Sequence, residues 1–323
     1  MAELSGAAAC GAAIKADGYG LGARAVATRL AEAGCRDFFV ATWAEAVALA
    51  DLSLPVSVLH GLRAADATHA RSGIARPVLN SAEQVARWRD MGGGPCDAMV
   101  DTGMNRLGLS PAEVAGGVLD GLAVDTLMSH LACAEEEHPL NEVQRARFVA
   151  AAERVRPKRR SLANSAGVLC GAAYAFDLTR PGLALYGGVP RPEAADRIRQ
   201  VVWPEAEVLQ VRQVSAGEGV GYGADFVAPA DMRVAVLNIG YADGYGRGFS
   251  NAGTARAGDA CLPVAGRVSM DLLALDARAA PDLREGDWIG IDFALAEAAA
   301  LAGRSQYELL TGLGRRFDRQ WHA

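Results

Sequence analysis

No apolar run in the 323-residue chain approaches the roughly 20 residues that a helix needs to span a bilayer. The first residues, Met1-Ala2-Glu3-Leu4-Ser5-Gly6, carry neither the basic segment nor the apolar core of a secretory signal. The expectation is a cytoplasmic protein with no membrane partner. Positive charge is not in excess either. The 32 Lys and Arg stand against 38 Asp and Glu, a net charge of -6 that leaves no electrostatic footprint for a nucleic acid. The six cysteines, Cys10, Cys35, Cys96, Cys133, Cys170 and Cys261, contain no Cys-x-x-Cys pair. That spacing argues against structural zinc, no metal site is expected, and the thiols read as free and buried in a reducing compartment. Repeat arrays and low-complexity tracts are missing too, and the acidic run Glu135-Glu136-Glu137 reads as a solvated loop.

What is present is the composition of a soluble globular enzyme, with 51% hydrophobic and 22% charged residues. The length suggests about two domains. From Lys15 to about residue 190, short apolar runs alternate with amphipathic stretches, the sequence form of βα units on a parallel sheet. Candidate strands fall near 10–15, 37–41, 56–60, 76–79, 97–101, 125–130, 160–164 and 178–185. Helices at 43–51, 81–90 (opened by a Ser81 cap) and 140–155 lie between them. Eight such units predict an α/β protein built on a (β/α)8 TIM barrel. Beyond Pro190-Arg191-Pro192, the runs 205–214, 232–239, 262–266, 268–275 and 287–292 alternate apolar and polar residues, with little helix. This predicts a barrel domain over 1–197 and a mainly β C-terminal domain over 198–323.

In Ala13-Ile14-Lys15-Ala16-Asp17-Gly18-Tyr19-Gly20-Leu21-Gly22, a lysine ends an apolar run and a glycine-rich turn follows. Such an amine is either a solvated strand end or a nucleophile and Schiff-base former. Gly18, Gly20 and Gly22 let the backbone approach a ligand and Tyr19 offers it a phenol. An amine beside a small anion pocket suggests pyridoxal phosphate. Lys15, His60, Asn80, Asp101, His130, Asn164 and Arg180 all close apolar runs, and in a (β/α)8 barrel those ends converge on the catalytic face. Taken singly, each is equally a strand end that meets solvent or caps a helix, the preferred reading for His60, Asn80 and Asn164.

Further stretches accompany the first: Asp101-Thr102-Gly103-Met104-Asn105-Arg106-Leu107-Gly108, Asn164-Ser165-Ala166-Gly167, Arg180-Pro181-Gly182-Leu183-Ala184-Leu185-Tyr186-Gly187, Val220-Gly221-Tyr222-Gly223-Ala224, Ile239-Gly240-Tyr241-Ala242-Asp243-Gly244-Tyr245 and Gly266-Arg267-Val268-Ser269-Met270-Asp271. Together they resemble the fold-type III alanine racemases, in family order from about residue 11 to 317. The resemblance implies an enzyme that uses pyridoxal 5'-phosphate to interconvert L- and D-alanine, supplies D-alanine for peptidoglycan, and works as a homodimer with shared active sites. Lys15 would hold the cofactor as an aldimine and serve as base on one face of the substrate Cα, with the partner's Tyr222 as base on the other. Racemisation needs such a pair, because a proton leaves one face of a planar carbanion and returns on the opposite one. Arg180 would meet the pyridine nitrogen, and His130 would hydrogen-bond to Arg180. A donor-only arginine leaves that nitrogen unprotonated, which weakens electron withdrawal and limits side reactions. Tyr19, Ser165, Tyr307 and the N–H groups of Gly182 and Leu183 would hold the phosphate. Arg106 and the backbone near Met270, the latter from the partner, would bind the substrate carboxylate, and Arg267 and Tyr241 match the family's access channel. Read without the resemblance, Tyr222 is a turn tyrosine, Arg180 a surface arginine before Pro181, His130 a core histidine and Met270 a packing residue.

Several positions depart from the family pattern. Fewer residues precede Lys15 than is usual, so an opening in the barrel is expected there. Met99 stands where a polar residue, often a carbamylated lysine, precedes the substrate arginine, which deprives Arg106 of a partner. Gly18 and Leu21 replace the common alanine and histidine, and Asp225 replaces a threonine near Tyr222. The alternatives are a broader amino-acid racemase or a decarboxylase of the same fold type and, in another class, a pyridoxal-phosphate-binding protein without turnover. A substrate panel separates the first two, and cofactor absorbance without activity identifies the third.

Overall fold

The structure, a computed structural model, describes residues 1–322. Its contacts divide the chain into two units, Met1–Leu185 with Pro190–Arg197, and Tyr186–Val189 with the chain from Ile198 onward.

The first unit is a ring of short parallel strands: β1 (Ala9–Cys10), β2 (Ala12–Ala13), β3 (Phe38–Val40), β4 (Val56–Val58), β5 (Arg76–Leu79), β6 (Cys96–Met99), β7 (Val124–Met128), β8 (Arg159–Ser161) and β9 (Leu178–Thr179). β1 and β2 are one strand interrupted at Gly11, where a Cβ would come within 2.9 Å of the Phe39 ring and 3.0 Å of the Asp37 carbonyl. β2 to β8 neighbour one another in chain order. The ring then closes. Ala9, Gly11 and Ala13 donate N–H bonds of 2.9–3.0 Å to Asp177, Thr179 and Pro181, while Asp177 and Arg180 donate to Arg160 and Ala163 at 3.1 and 2.8 Å. The opening expected at the first unit is therefore not there, because the five residues from Ala9 to Ala13 suffice to bridge β3 and β9. Strands enclosed on both faces read as unbroken apolar runs, and Val40, Val58, Val78, Leu79, Ala98, Leu127 and Met128 are fully buried.

A belt of charge lies at the strands' N-terminal ends. Arg159 grips Asp37 with bonds of 2.8 and 3.0 Å and reaches Asp125 at 3.0 Å. Arg76 lies 3.5 Å from both Asp125 and Asp97. Asp97 is fully buried and accepts from Ser57 Oγ at 2.6 Å and from the Thr126 N–H at 3.0 Å. Burial pushes its carboxyl above the ordinary value, against the pull of Arg76.

The second unit carries β10 (Glu205–Val214), β11 (Gly219–Val220), β12 (Phe226–Val227), β13 (Met232–Leu237), β14 (Thr254–Ala257), β15 (Ala260–Pro263), β16 (Leu273–Asp276) and β17 (Trp288–Ile291). An antiparallel sheet has the order β15-β14-β17-β10-β13-β16, and β11 and β12 form a separate hairpin. β14 escapes the sequence pattern because Thr254-Ala255-Arg256-Ala257 offers no large apolar residue, and its partner β15 begins two residues before the run expected at 262–266. Helices Leu295–Ala302 and Gln306–Thr311 end the unit, the latter opened by a Ser305–Glu308 capping box, so it holds more helix than its texture suggests. The expectation of buried thiols also needs correction. Only Cys96 is buried, and Cys261 is exposed because it points outward from the edge strand β15. No helix among the described residues is long and apolar enough to cross a membrane.

Candidate active site

Lys15 follows the fully buried Ile14 at the end of the first strand. The chain after it makes a left-handed turn, with φ near +54, +53 and +62° at Ala16, Asp17 and Gly18 and +54° at Tyr19. That conformation costs L-residues about 1–2 kcal/mol each. It is held from outside. Glu45 Oε1 accepts the Ala16 N–H at 2.7 Å, and Asp17 Oδ1 accepts the Ala23 N–H at 2.8 Å. Gly18 packs where a Cβ would come within 3.1 Å of Ala23 and Val26. Glu45 also caps its own helix with Thr42, so one carboxylate ties the lysine turn to the next βα loop. The Thr42-x-x-Glu45 spacing is a capping-box signature from which this anchor could have been read. The Lys15 side chain is half-buried, and its amine makes no hydrogen bond or ion pair among the described residues. Burial lowers its pKa, Arg106 lowers it further, and Glu45 opposes both.

The last strand's loop supplies an anion cradle. Buried Ser165 Oγ accepts the N–H groups of Gly182 and Ala184 at 2.9 and 3.2 Å. Its own proton is therefore left to donate. Gly182 is a necessity here, because a Cβ would overlap the Tyr19 hydroxyl. Leu183, also buried, starts the short helical turn Leu183–Tyr186. Tyr19, Ser165, Gly182 and Leu183 thus meet as one local group, although the Gly182 N–H expected to reach a phosphate is already donated to Ser165 Oγ, which leaves the Ser165 proton as the donor.

Arg180 is buried, with Nη1 donating to Ser161 Oγ and Nη2 to the Ser129 carbonyl at 2.6 Å. Burial pushes its pKa down to about 10, with the Asp97 charge opposing, so it stays cationic near neutrality. The hydrogen bond expected between His130 and Arg180 is not formed. The bonds of Arg180 go to Ser161 and Ser129, and the His130 ring has no hydrogen-bond partner among the described residues. Burial, then the charges of Arg180, Arg106 and Lys15, push His130 down to about 3. It is a neutral imidazole across the physiological range.

Arg106 sits on a loop wound around a single carboxylate. Asp101 Oδ1 accepts the N–H groups of Gly103, Met104 and Asn105 at 2.8, 2.9 and 3.1 Å, and Oδ2 accepts that of Arg106 at 2.9 Å. Burial alone would raise the Asp101 carboxyl, but these donors hold it below its ordinary value. Buried Met99 gives the Arg106 guanidinium no polar contact, and that guanidinium pairs with nothing among the described residues. The other strand-end polar groups have structural roles. Asn80 donates to the Leu59 and Val78 carbonyls, Asn164 caps Gly167, and His60 is exposed.

Tyr222, Met270 and Tyr307 belong to the second unit. Tyr222 is 70% exposed and makes no hydrogen bond among the described residues. Its loop is stapled three residues on, where Arg267 forks onto Asp225, so the unusual aspartate is neutralised by a cation. Met270 is 53% exposed, and its carbonyl accepts the Ala242 N–H at 3.0 Å, which joins its loop to the Tyr241 turn. Arg316 clasps Asp243 and Asp271 behind both, with bonds of 2.7–2.9 Å. Half-buried Tyr307 lies on the helix Gln306–Thr311.

One ligand-type cluster, Cys133, Glu136 and His138, gathers its atoms within 4.8 Å. His138 Nδ1 accepts the Leu140 N–H at 3.1 Å, which puts the ring proton on Nε2 and leaves no lone pair for a metal.

Fold and residues together define a two-unit protein in which a barrel carries a lysine at its first strand end and an anion cradle at its last. The family models described as alanine racemase N-terminal and C-terminal domains match residues 1–190 and 201–321. The chain belongs to the alanine racemase family. It is 45% identical to the alanine racemase of Acidiphilium cryptum over 95% of this chain and 90% of that protein. To the catabolic alanine racemase of Agrobacterium fabrum it is 42% identical, over 99% and 88%. The crystal structure of the Bartonella henselae alanine racemase with covalently bound pyridoxal phosphate superposes with a TM-score of 0.90 at 34% identity, covering 99% of this chain and 94% of that one. The biosynthetic alanine racemase of Pseudomonas aeruginosa also gives 0.90, at 33% identity over 100% and 94%.

Proposed function

We propose that this chain is an alanine racemase that uses pyridoxal 5'-phosphate, acts as a homodimer in the cytoplasm and supplies D-alanine for peptidoglycan. The observation that carries the reading is the half-buried, unpartnered Lys15 amine, held by a strained turn and depressed in pKa by burial and by Arg106. The residues present fit the cofactor. The cradle of Tyr19, Ser165, Gly182 and Leu183 suits a phosphate, for which the family resemblance adds Tyr307; Arg180 suits a ring nitrogen that accepts a hydrogen bond; and Lys15 suits an aldehyde. Bound there, the cofactor would supply a sink for the electron pair left at the substrate Cα when its proton departs.

The chain's own residues do the rest. Arg106, with no anion of its own, binds the alanine carboxylate, and the backbone at the partner's Met270 completes that contact. Lys15, whose pKa burial and Arg106 lower, moves a proton on one face of Cα. The partner's Tyr222 moves the proton on the opposite face. Neutral His130 adds no second positive charge beside the Arg180 guanidinium. The test is conversion of L-alanine to D-alanine by the cofactor-loaded protein, alongside serine and lysine. Alanine should turn over fastest, and cofactor binding without conversion of any amino acid would overturn the reading.

A further inference from the structure

Gln144 lies in the second turn of the helix Pro139–Val155, between Glu142 and Arg145, where a polar residue would be expected to face water. It is instead fully buried, at 0% exposure. Its amide is directed wholly at strand-end loops. Oε1 accepts the Ala132 N–H at 2.8 Å, and Nε2 donates to the His130 carbonyl at 3.0 Å and to Thr102 Oγ1 at 3.2 Å. The pattern continues inward. Thr102 Oγ1 meets Ser129 Oγ at 2.8 Å, and the Ser129 carbonyl accepts Arg180 Nη2 at 2.6 Å. From the same helix, Arg147 Nη1 holds the Thr102 carbonyl at 3.0 Å. One side chain therefore joins the loop that presents Arg106, the strand end that bears His130 and, through Ser129, the guanidinium of Arg180.

We propose that Gln144 is a positioning residue that fixes Arg106, His130 and Arg180 relative to one another, an inference that rests on the function proposed above for those three residues. The position needs one acceptor and two donors on a single planar group, which a glutamine supplies and no other side chain of its length does. Leucine would leave the Ala132 N–H and the His130 carbonyl buried and unpaired. An ionised glutamate would face that carbonyl with a second acceptor.

The test compares Gln144→Leu and Gln144→Glu with the wild-type holoenzyme. Gln144→Leu should lose about 10- to 100-fold in kcat/KM, as a misplacement of about 1 Å does, by a factor that does not change with pH. Gln144→Glu should recover part of its activity relative to wild type at low pH, where the protonated acid restores one of the two donors, and fall further behind as the acid ionises. A role in filling space alone would give both variants the same pH-independent loss, and that result overturns the proposal. Amide exchange supplies a readout independent of turnover: the Ala132 N–H and the 102–106 loop should exchange faster in Gln144→Leu, and unchanged exchange overturns the proposal. If neither variant folds, Thr102→Val removes a single hydroxyl from the same network and should raise KM for alanine more than it lowers kcat; unchanged constants overturn the proposal. A wild-type protein that fails to racemise alanine defeats the proposed function, while the exchange comparison still decides the role of Gln144.

Discussion

In the barrel unit, Arg180 and Ser165 are buried and hydrogen-bonded, the Arg106 loop is wound on Asp101, and the Lys15 turn is pinned by Glu45. In the C-terminal unit, Tyr222 and Met270 lie 70% and 53% exposed, on loops braced from behind by Arg267 and Arg316. The barrel thus organises its share of the site with bonds of its own. The C-terminal unit fixes the backbone of its candidates and leaves their side chains outward, which suits the proposal that they work against another surface. On this account that surface belongs to a second copy of the chain.

The contrast can be broken most severely at the two proposed bases. Lys15→Ala should cost more than about 10⁴-fold in racemisation, since the proposed function makes the residue both the cofactor's attachment and a base. Borohydride reduction of the wild-type holoenzyme should fix a pyridoxyl group on Lys15 in peptide maps, and label on another lysine refutes the assignment. Tyr222→Phe should cost about 10²- to 10⁴-fold, the range of one lost general base. It should leave solvent exchange of the Cα proton intact for one enantiomer only, because Lys15 still serves its face. Equal loss of exchange for both enantiomers contradicts a division of faces.

Smaller effects sharpen the barrel's side of the contrast. Asp101→Ala strips four N–H groups of their acceptor and should raise KM for alanine about tenfold with kcat less affected, as expected when binding geometry is lost. A change confined to kcat would deny the link to Arg106. The mildest effect concerns pH. His130 is held at about 3 in the folded chain, against an ordinary 6.5. Between those values the unfolded chain binds a proton that the folded chain does not, so stability is full above about 6.5 and declines toward 3. His130→Gln should therefore show a smaller drop in Tm between about pH 7 and about pH 4.5 than the wild type. An equal drop would mean that the ring is not shielded.

Enclosed strands announce themselves as apolar runs, which is why the barrel's strands were legible, and β10 alternates clearly enough to be read from Glu205 to Val214. Lys15 drew notice in the sequence because a strand end and a glycine-rich turn mark it, whereas Ser165 and the role of Arg180 came from the family resemblance. The bracing was not. Gln144 carries the polarity of a solvated helix face, and only the tertiary structure reverses its direction. The left-handed turn was half visible through Gly18 and Gly20, while Ala16 and Asp17 gave no sign of positive φ. The expected His130–Arg180 bond failed for a related reason: Ser161 and Ser129, unremarkable in sequence, take the bonds of the guanidinium.

The most direct test of a site shared between two copies mixes Lys15→Ala subunits with Tyr222→Phe subunits after dissociation and reassociation. Each parent should be nearly inactive. A mixed dimer pairs both lesions in one site and leaves the other intact, so random exchange should restore roughly a quarter of wild-type activity. If mass measurement confirms the exchange and no activity returns, Tyr222 does not complete the site of a partner, and the central claim is wrong.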